Sequence, residues 1–138
     1  MSKISSQRGK ELENAVEELA KSLGYRPEKK KLRGRRCSWR PDFLIQTGGS
    51  GKALIVECKN PSASDNVNIG IAARELVTMF LDLRNNPENE GFKFCAVLGE
   101  GVDIEKGHRG FRSLLEKDLS VTAVDLKGFS ELLNGLKG

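Results

Sequence analysis

The sequence predicts an α/β domain in three layers, with a central mixed β-sheet flanked by helices. Three observations predict it. Amphipathic runs at helical spacing open the chain, occupy its middle and close it. Between them lie short runs that are apolar almost without a break, the mark of strands covered on both faces. Gly, Pro and Asn punctuate the joints, as in a compact fold. At 138 residues the chain fits one domain, taken as residues 1–138, and can bury a core without disulfides.

The first element is a helix over about Ser6–Leu23. Leu12, Ala15, Val16, Leu19, Ala20 and Leu23 recur on one face, Ser5 or Ser6 caps the start, and Gly24 supplies the stop. A basic segment follows, read as a strand near Arg26–Leu32 and then a loop through Trp39. Asp42–Gln46 and Ala53–Cys58 read as central strands joined by the turn Thr47–Lys52. A second helix spans about Asn66–Asn85, with Ile69, Ala72, Ala73, Leu76, Phe80 and Leu83 on one face and Asn86-Pro87 ending it. Phe92–Leu98 is another buried strand, followed by a short helix near Phe111–Lys117. Val121–Leu126 and Phe129–Leu136 close the chain as strand and helix. The order is an αβββαβ core with a C-terminal α-β-α elaboration.

Several classes of function are set aside by composition. No apolar stretch approaches the roughly 18 residues that span a bilayer, and the first residues lack a signal peptide's apolar core, so a cytoplasmic protein is expected. Cys37, Cys58 and Cys95 form no CxxC pair and have only His108 to join them, a poor zinc set best read as reduced thiols. His108 itself sits in a glycine-flanked loop signature and reads as a surface residue. Gly48-Gly49-Ser50-Gly51-Lys52 mimics a phosphate loop, but Ala53 stands where Ser or Thr is needed and a strand follows instead of a helix.

The net charge of +4 is concentrated. Between Arg26 and Arg40 lie eight basic residues and one acid, Glu28, leaving 15 basic and 18 acidic residues elsewhere. Such a local patch is the footprint of a polyanion-binding surface. Arg33, Arg35, Arg36 and Arg40 are the candidate phosphate contacts, with Lys29, Lys30 and Lys31 in support. Trp39, in the same patch, either anchors the following strand or stacks on a base; anchoring is the plainer reading.

The chemistry lies in Pro41-Asp42, fourteen intervening residues, then Glu57-Cys58-Lys59. Side chains alternate along a strand, so Glu57 and Lys59 emerge on one side and Cys58 on the other. If the two strands pair about Gly49–Ser50, Asp42 meets Glu57. Two crowded carboxylates favour protonation of each other unless a cation intervenes, and a hard divalent ion held by oxygens suits them.

Helix, Pro-Asp strand, Glu-x-Lys strand, helix and strand together resemble the core of the PD-(D/E)XK nucleases, the restriction-endonuclease-like fold, over roughly residues 6–98. The start, Arg8-Gly9-Lys10-Glu11-Leu12-Glu13 and then Leu23-Gly24-Tyr25, is similar to small archaeal Holliday-junction resolvases. Matching Gly-x-x-x-Glu makes Glu13 the candidate helical ligand, and it flanks the apolar stripe by about 90°. Beyond Lys59, Asn60-Pro61-Ser62-Ala63 departs from the basic, aromatic stretch of the resolvases.

The resemblance implies a metal-dependent endonuclease acting on DNA. Asp42, Glu57, the backbone carbonyl of Cys58 and Glu13 would hold Mg²⁺, for which Mn²⁺ can substitute, and Lys59 would orient the attacking water or stabilise the phosphorane oxygen. A homodimer making paired cuts is expected, with Val121–Leu126 and Phe129–Leu136 as its surface unless they complete the chain's own core. Junction-type and restriction-type substrates both stand, as do a DNA-binding module that has lost catalysis and an RNA-directed nuclease.

Overall fold

The computed structural model describes residues 5–48, 52–61, 66–99 and 114–137. Helix α1 (Ser5–Ser22) carries Leu12, Val16 and Ala20 on its buried face. It stops in a Schellman turn, with the Tyr25 N–H donating to the Ala20 carbonyl at 3.0 Å and the Gly24 N–H to Lys21 at 3.0 Å. Gly24 takes the positive φ of 90° that this turn requires. The Tyr25 hydroxyl then donates to the Leu133 carbonyl at 2.9 Å, tying this corner to the last helix.

The basic segment differs from the single strand expected over Arg26–Leu32. It breaks into β1 (Pro27–Glu28), which pairs with the main sheet, and a separate two-stranded hairpin of β2 (Leu32–Arg33) and β3 (Ser38–Trp39). Pro27 cannot donate to a ladder, which suits a short edge strand. Consecutive exposed lysines at 29–31 supply no apolar face to extend it.

The sheet runs β1, β4 (Phe43–Gln46), β5 (Ala53–Lys59), β6 (Phe92–Leu98), β7 (Val121–Val124). Its first two pairings are antiparallel and its last two parallel. Helix α2 (Asn66–Arg84) makes the crossover between β5 and β6, and α3 (Leu126–Lys137) follows β7. Alternation along β5 sorts the core into two layers. Leu54, Val56 and Cys58 pack with Leu12, Val16, Phe129 and Leu133 from α1 and α3. Ala53 and Ile55 pack with Leu76, Met79, Phe80 and Leu83 from α2. The three-layer expectation therefore holds, and each large side chain so buried contributes about 1.5–3 kcal/mol.

Smaller departures have local causes. The last strand ends at Val124 because Asp125 begins α3: its carboxylate accepts from the Gly128 N–H at 2.7 Å, as an N-cap does. Where a short helix was expected over Phe111–Lys117, a π-type turn spans Leu114–Asp118, and 111–113 lie outside the described residues. So do His108, Gly49–Gly51 and Ser62–Ala63, and the side chains of Ser5, Ser6 and Ile69. Val121, Ala123, Phe129 and Leu133 are buried in the chain's own core, which removes their inner faces as a dimer surface. No helix among the described residues is long and apolar enough to cross a membrane.

Candidate active site

Hairpin register decides the site. Phe43 pairs with Val56 and Gln46 with Ala53, so the next step outward sets Asp42 against Glu57. The two are interlocked. The Asp42 N–H donates to Glu57 Oε1 at 2.9 Å, and the Cys58 N–H donates to Asp42 Oδ2 at 2.7 Å. A strand residue points its N–H and C=O to the same side, so the Cys58 carbonyl also faces the Asp42 end of β4. Its thiol turns the other way into the core, where burial and the nearby carboxylates push its pKa up.

Glu13 reaches the same place from α1. It shares a hydrogen bond with Asp42, and that bond, then burial and the Asp42 charge, push its pKa up to about 7. Lys29 pulls the other way: its ammonium lies 4.0 Å from Glu13 Oε1 and 5.4 Å from the Phe43 ring centre. Asp42 is also raised, by burial first and then by the Glu57 charge, against the hydrogen bonds from Glu13 and the Cys58 N–H. Burial raises Glu57 too, against its contacts with Asp42 and the charge of Lys59. Three carboxyls therefore hold protons more tightly than they would in water. Glu13 and Asp42 titrate as a coupled pair, and their hydrogen bond raises Glu13 while it lowers Asp42.

Lys59 lies on the Glu57 side of β5, as alternation requires, but its ammonium is paired with Glu75 of α2. Glu57, Lys59 and Glu75 border an open groove of about 620 Å³ walled by Trp39, Arg40 and α2. Behind it, Arg8 Nη2 donates to Asn60 Oδ1 at 3.1 Å and to the Pro61 carbonyl at 2.9 Å. Asn60 answers with a bond to the Arg8 carbonyl at 3.2 Å, fixing the start of α1 to the exit of β5.

The arginine hairpin is held by one acid, Asp82 of α2. Its carboxylate accepts from the Arg36 N–H at 2.9 Å, the Cys37 N–H at 3.0 Å and Trp39 Nε1 at 2.8 Å. Its carbonyl accepts from the Arg35 N–H at 3.0 Å. Gly34 is needed here, because a Cβ would stand 2.2 Å from Asp82 Oδ2. Trp39 is thus tied to α2 through its indole N–H. Arg33, Arg35, Arg36 and Arg40 remain exposed, as do Lys30 and Lys31, while Lys29 is engaged with Glu13.

Asp42, Glu57 and Glu13 are therefore together, and Lys59 is beside them but turned to α2. Sequence reading missed Glu75, Asp82 and the Arg8–Asn60 clamp. Their partners lie 16 to 52 residues away, and no local pattern signals such contacts.

An all-oxygen donor set with raised pKa values suits a hard divalent cation, which offsets the repulsion among the carboxylates. Among the described residues no group of three or more His, Cys, Asp or Glu side chains is placed, as it stands, to hold a metal ion. Backbone N–H groups hold Glu57 and Asp42 in their present places, and a side-chain hydrogen bond joins Glu13 to Asp42.

No model of a known protein family matches the chain, and no curated protein aligns with it significantly. Two solved structures are similar to it. One is AF1548, a protein of unknown function, with a TM-score of 0.53 and 14% identity, covering 82% of this chain and 55% of that one. The other is SfsA from Pyrococcus furiosus in complex with Ca²⁺, with a TM-score of 0.48 and 21% identity, covering 87% of this chain and 56% of that one. The chain spans a little over half the length of each. The first likeness is one of fold, and the second is too loose to carry an argument.

Proposed function

We propose that this chain is a divalent-metal-dependent endonuclease that hydrolyses DNA phosphodiesters. The observation that carries it is the meeting of Glu13, Asp42 and Glu57 at one end of the sheet, with raised pKa values and Lys59 alongside. Lys29 and Lys59 offset these acids only in part, since burial and mutual repulsion still raise all three, and such clusters are candidates for ligand sites.

Asp42, Glu57, Glu13 and the Cys58 carbonyl would hold Mg²⁺ or Mn²⁺. When bound, such an ion lowers the pKa of water and offsets negative charge on a phosphoryl centre. Lys59 orients the attacking water or faces the developing phosphorane oxygen, and Glu75 holds its ammonium at the mouth of the groove. Arg40 and the hairpin arginines grip flanking phosphates. One centre cuts one strand, so paired cuts call for two copies of the chain. Structured or branched DNA ranks above a short palindromic site, because the exposed hairpin arginines suit phosphates, which carry no base sequence.

The test is a cleavage panel of duplex, single-strand, flap and four-way-junction DNA, with matched RNA, in Mg²⁺ and in chelator. Metal-dependent cuts in DNA, abolished in Asp42→Asn, are expected. A second reading, a DNA-binding module without catalysis, draws on the exposed hairpin arginines, which suit phosphates whether or not the acids do chemistry. Tight DNA binding with no cleavage in any metal would establish that reading instead.

A further inference from the structure

The groove beside the carboxylates is walled in a way that phosphate hydrolysis does not require. One wall is a face of α2 on which Ile71, Arg74, Glu75 and Thr78 follow at the i, i+3, i+4, i+7 spacing. The other is Trp39 with Arg40, and Met79 lies at the base. Ile71 is 44% exposed, and Leu81, 41% exposed, is the other large apolar side chain so open among the described residues. Leu81 is not part of the groove, whereas Ile71 lines it together with Trp39, Glu57 and Lys59. Together with the Trp39 indole and the Met79 side chain in the same groove, Ile71 offers apolar surface to a ligand with an apolar face.

The same groove carries cations suited to an anion. Among the described residues no carboxylate forms an ion pair with Arg40 or Arg74. Arg74 makes a long bond, 3.4 Å, from Nε to the Gly70 carbonyl of its own helix. A ligand that joins a flat apolar ring to negative charge is a nucleotide. An acidic peptide lacks the flat face, and a lipid surface would not enter a slot.

We infer that this groove is a nucleobase pocket, which takes an unstacked base next to the phosphate being cut. The inference rests on the nuclease reading and names its substrate class: DNA with an unpaired or displaced nucleotide at the cleavage point. Trp39 suits the role because Asp82 fixes its edge through Nε1, leaving a rigid ring that gives up little freedom when a base packs on it. Every base has a π-face, so such a pocket tolerates sequence. It does not tolerate intact B-form DNA, whose bases are stacked inside the helix. Extrusion is easiest for a base that is already mismatched, bulged or single-stranded.

The full-length chain can be tested with duplexes carrying 2-aminopurine, either paired or as a one-nucleotide bulge, in Ca²⁺ to read binding and in Mg²⁺ to read cleavage. Bulged DNA should change 2-aminopurine fluorescence on binding and be cut with about tenfold higher kcat/KM than continuous duplex, the worth of one stacked base. Ile71→Glu, at an exposed position, should erase the fluorescence change and bring the ratio of the two kcat/KM values near one. Ile71→Ala should reduce both partially. Equal cutting of bulged and continuous duplex, with a ratio and fluorescence indifferent to Ile71→Glu, would overturn the pocket while leaving the nuclease intact. Absence of all cutting, with the fluorescence change present and erased by Ile71→Glu, would support the pocket and overturn the nuclease reading.

Discussion

Asp82 and Asp42 are both acids that accept hydrogen bonds from backbone N–H groups, yet their chemistry runs in opposite directions. Asp82 receives the Trp39 indole and two backbone amides in an open setting, and these bonds, led by the indole, lower its pKa. Asp42 receives the Cys58 amide, but burial and the Glu57 charge outweigh it and raise the pKa. The first acid has all the donors it needs and stays an anion. The second is desolvated among its own kind and needs either a proton or a cation. One carboxylate builds the arginine hairpin; the other belongs to a site that calls for a positive partner.

The largest expected effect comes from removing the unsettled acids. Asp42→Asn and Glu57→Gln should each cut Mg²⁺-dependent cleavage by about a thousandfold or more, while the chain stays folded and binds DNA. Steady-state kinetics with circular dichroism would check this; near-normal rates in either variant would dismiss the assignment.

Next comes the settled acid. Asp82→Ala frees the hairpin and should weaken duplex binding in the manner of the Arg33, Arg35 and Arg36 triple alanine variant. That triple variant should bind all sequences less tightly and flatten log affinity against log salt by about 0.9 for each phosphate it no longer neutralises. An unchanged salt slope would mean the arginines are only solvated.

The two acids should also part company with pH in the metal-free chain. Glu13 has a folded pKa of about 7 against an ordinary 4.5, so its contribution to stability is present below about 4.5 and lost as pH rises through 7. Asp42 and Glu57 act in the same direction. Asp82, lowered, contributes above its ordinary value of 3.8 and loses that contribution as pH falls below it. Melts from pH 4.5 to 8 should therefore show declining stability that Glu13→Gln flattens and Mg²⁺ restores. A slope unaltered by Glu13→Gln would show that the proton lies elsewhere.

The smallest effect is expected at Cys58. Cys58→Ala deletes a buried sulfur and should cost about 1 kcal/mol in chemical denaturation while keeping most cleavage, because only the backbone is assigned to the site. A folded but inactive Cys58→Ala chain would reveal a role for the thiol.

Much of this was legible in the residues alone. The mostly apolar runs of β5 and β6 marked their limits almost to the residue, since strands buried on both faces carry few polar positions. The Asp42–Glu57 pairing followed from symmetry about the turn, and the observed register keeps it. The basic segment was harder. Its charge was evident, but its division between two sheets depends on Asp82, more than forty residues away.

The sequence by itself determined which residues alternate, which faces are apolar, and hence that Glu57 and Lys59 leave β5 on the side opposite Cys58. These are properties of neighbours along one strand or helix, set by backbone periodicity. Only the tertiary structure decided that Glu13 hydrogen-bonds Asp42, that Glu75 takes the Lys59 ammonium, and that Ile71 and Trp39 line one groove. Those contacts join elements whose relative placement is fixed by packing of the two core layers, and no period in the chain encodes the angle at which α1 and α2 cross the sheet.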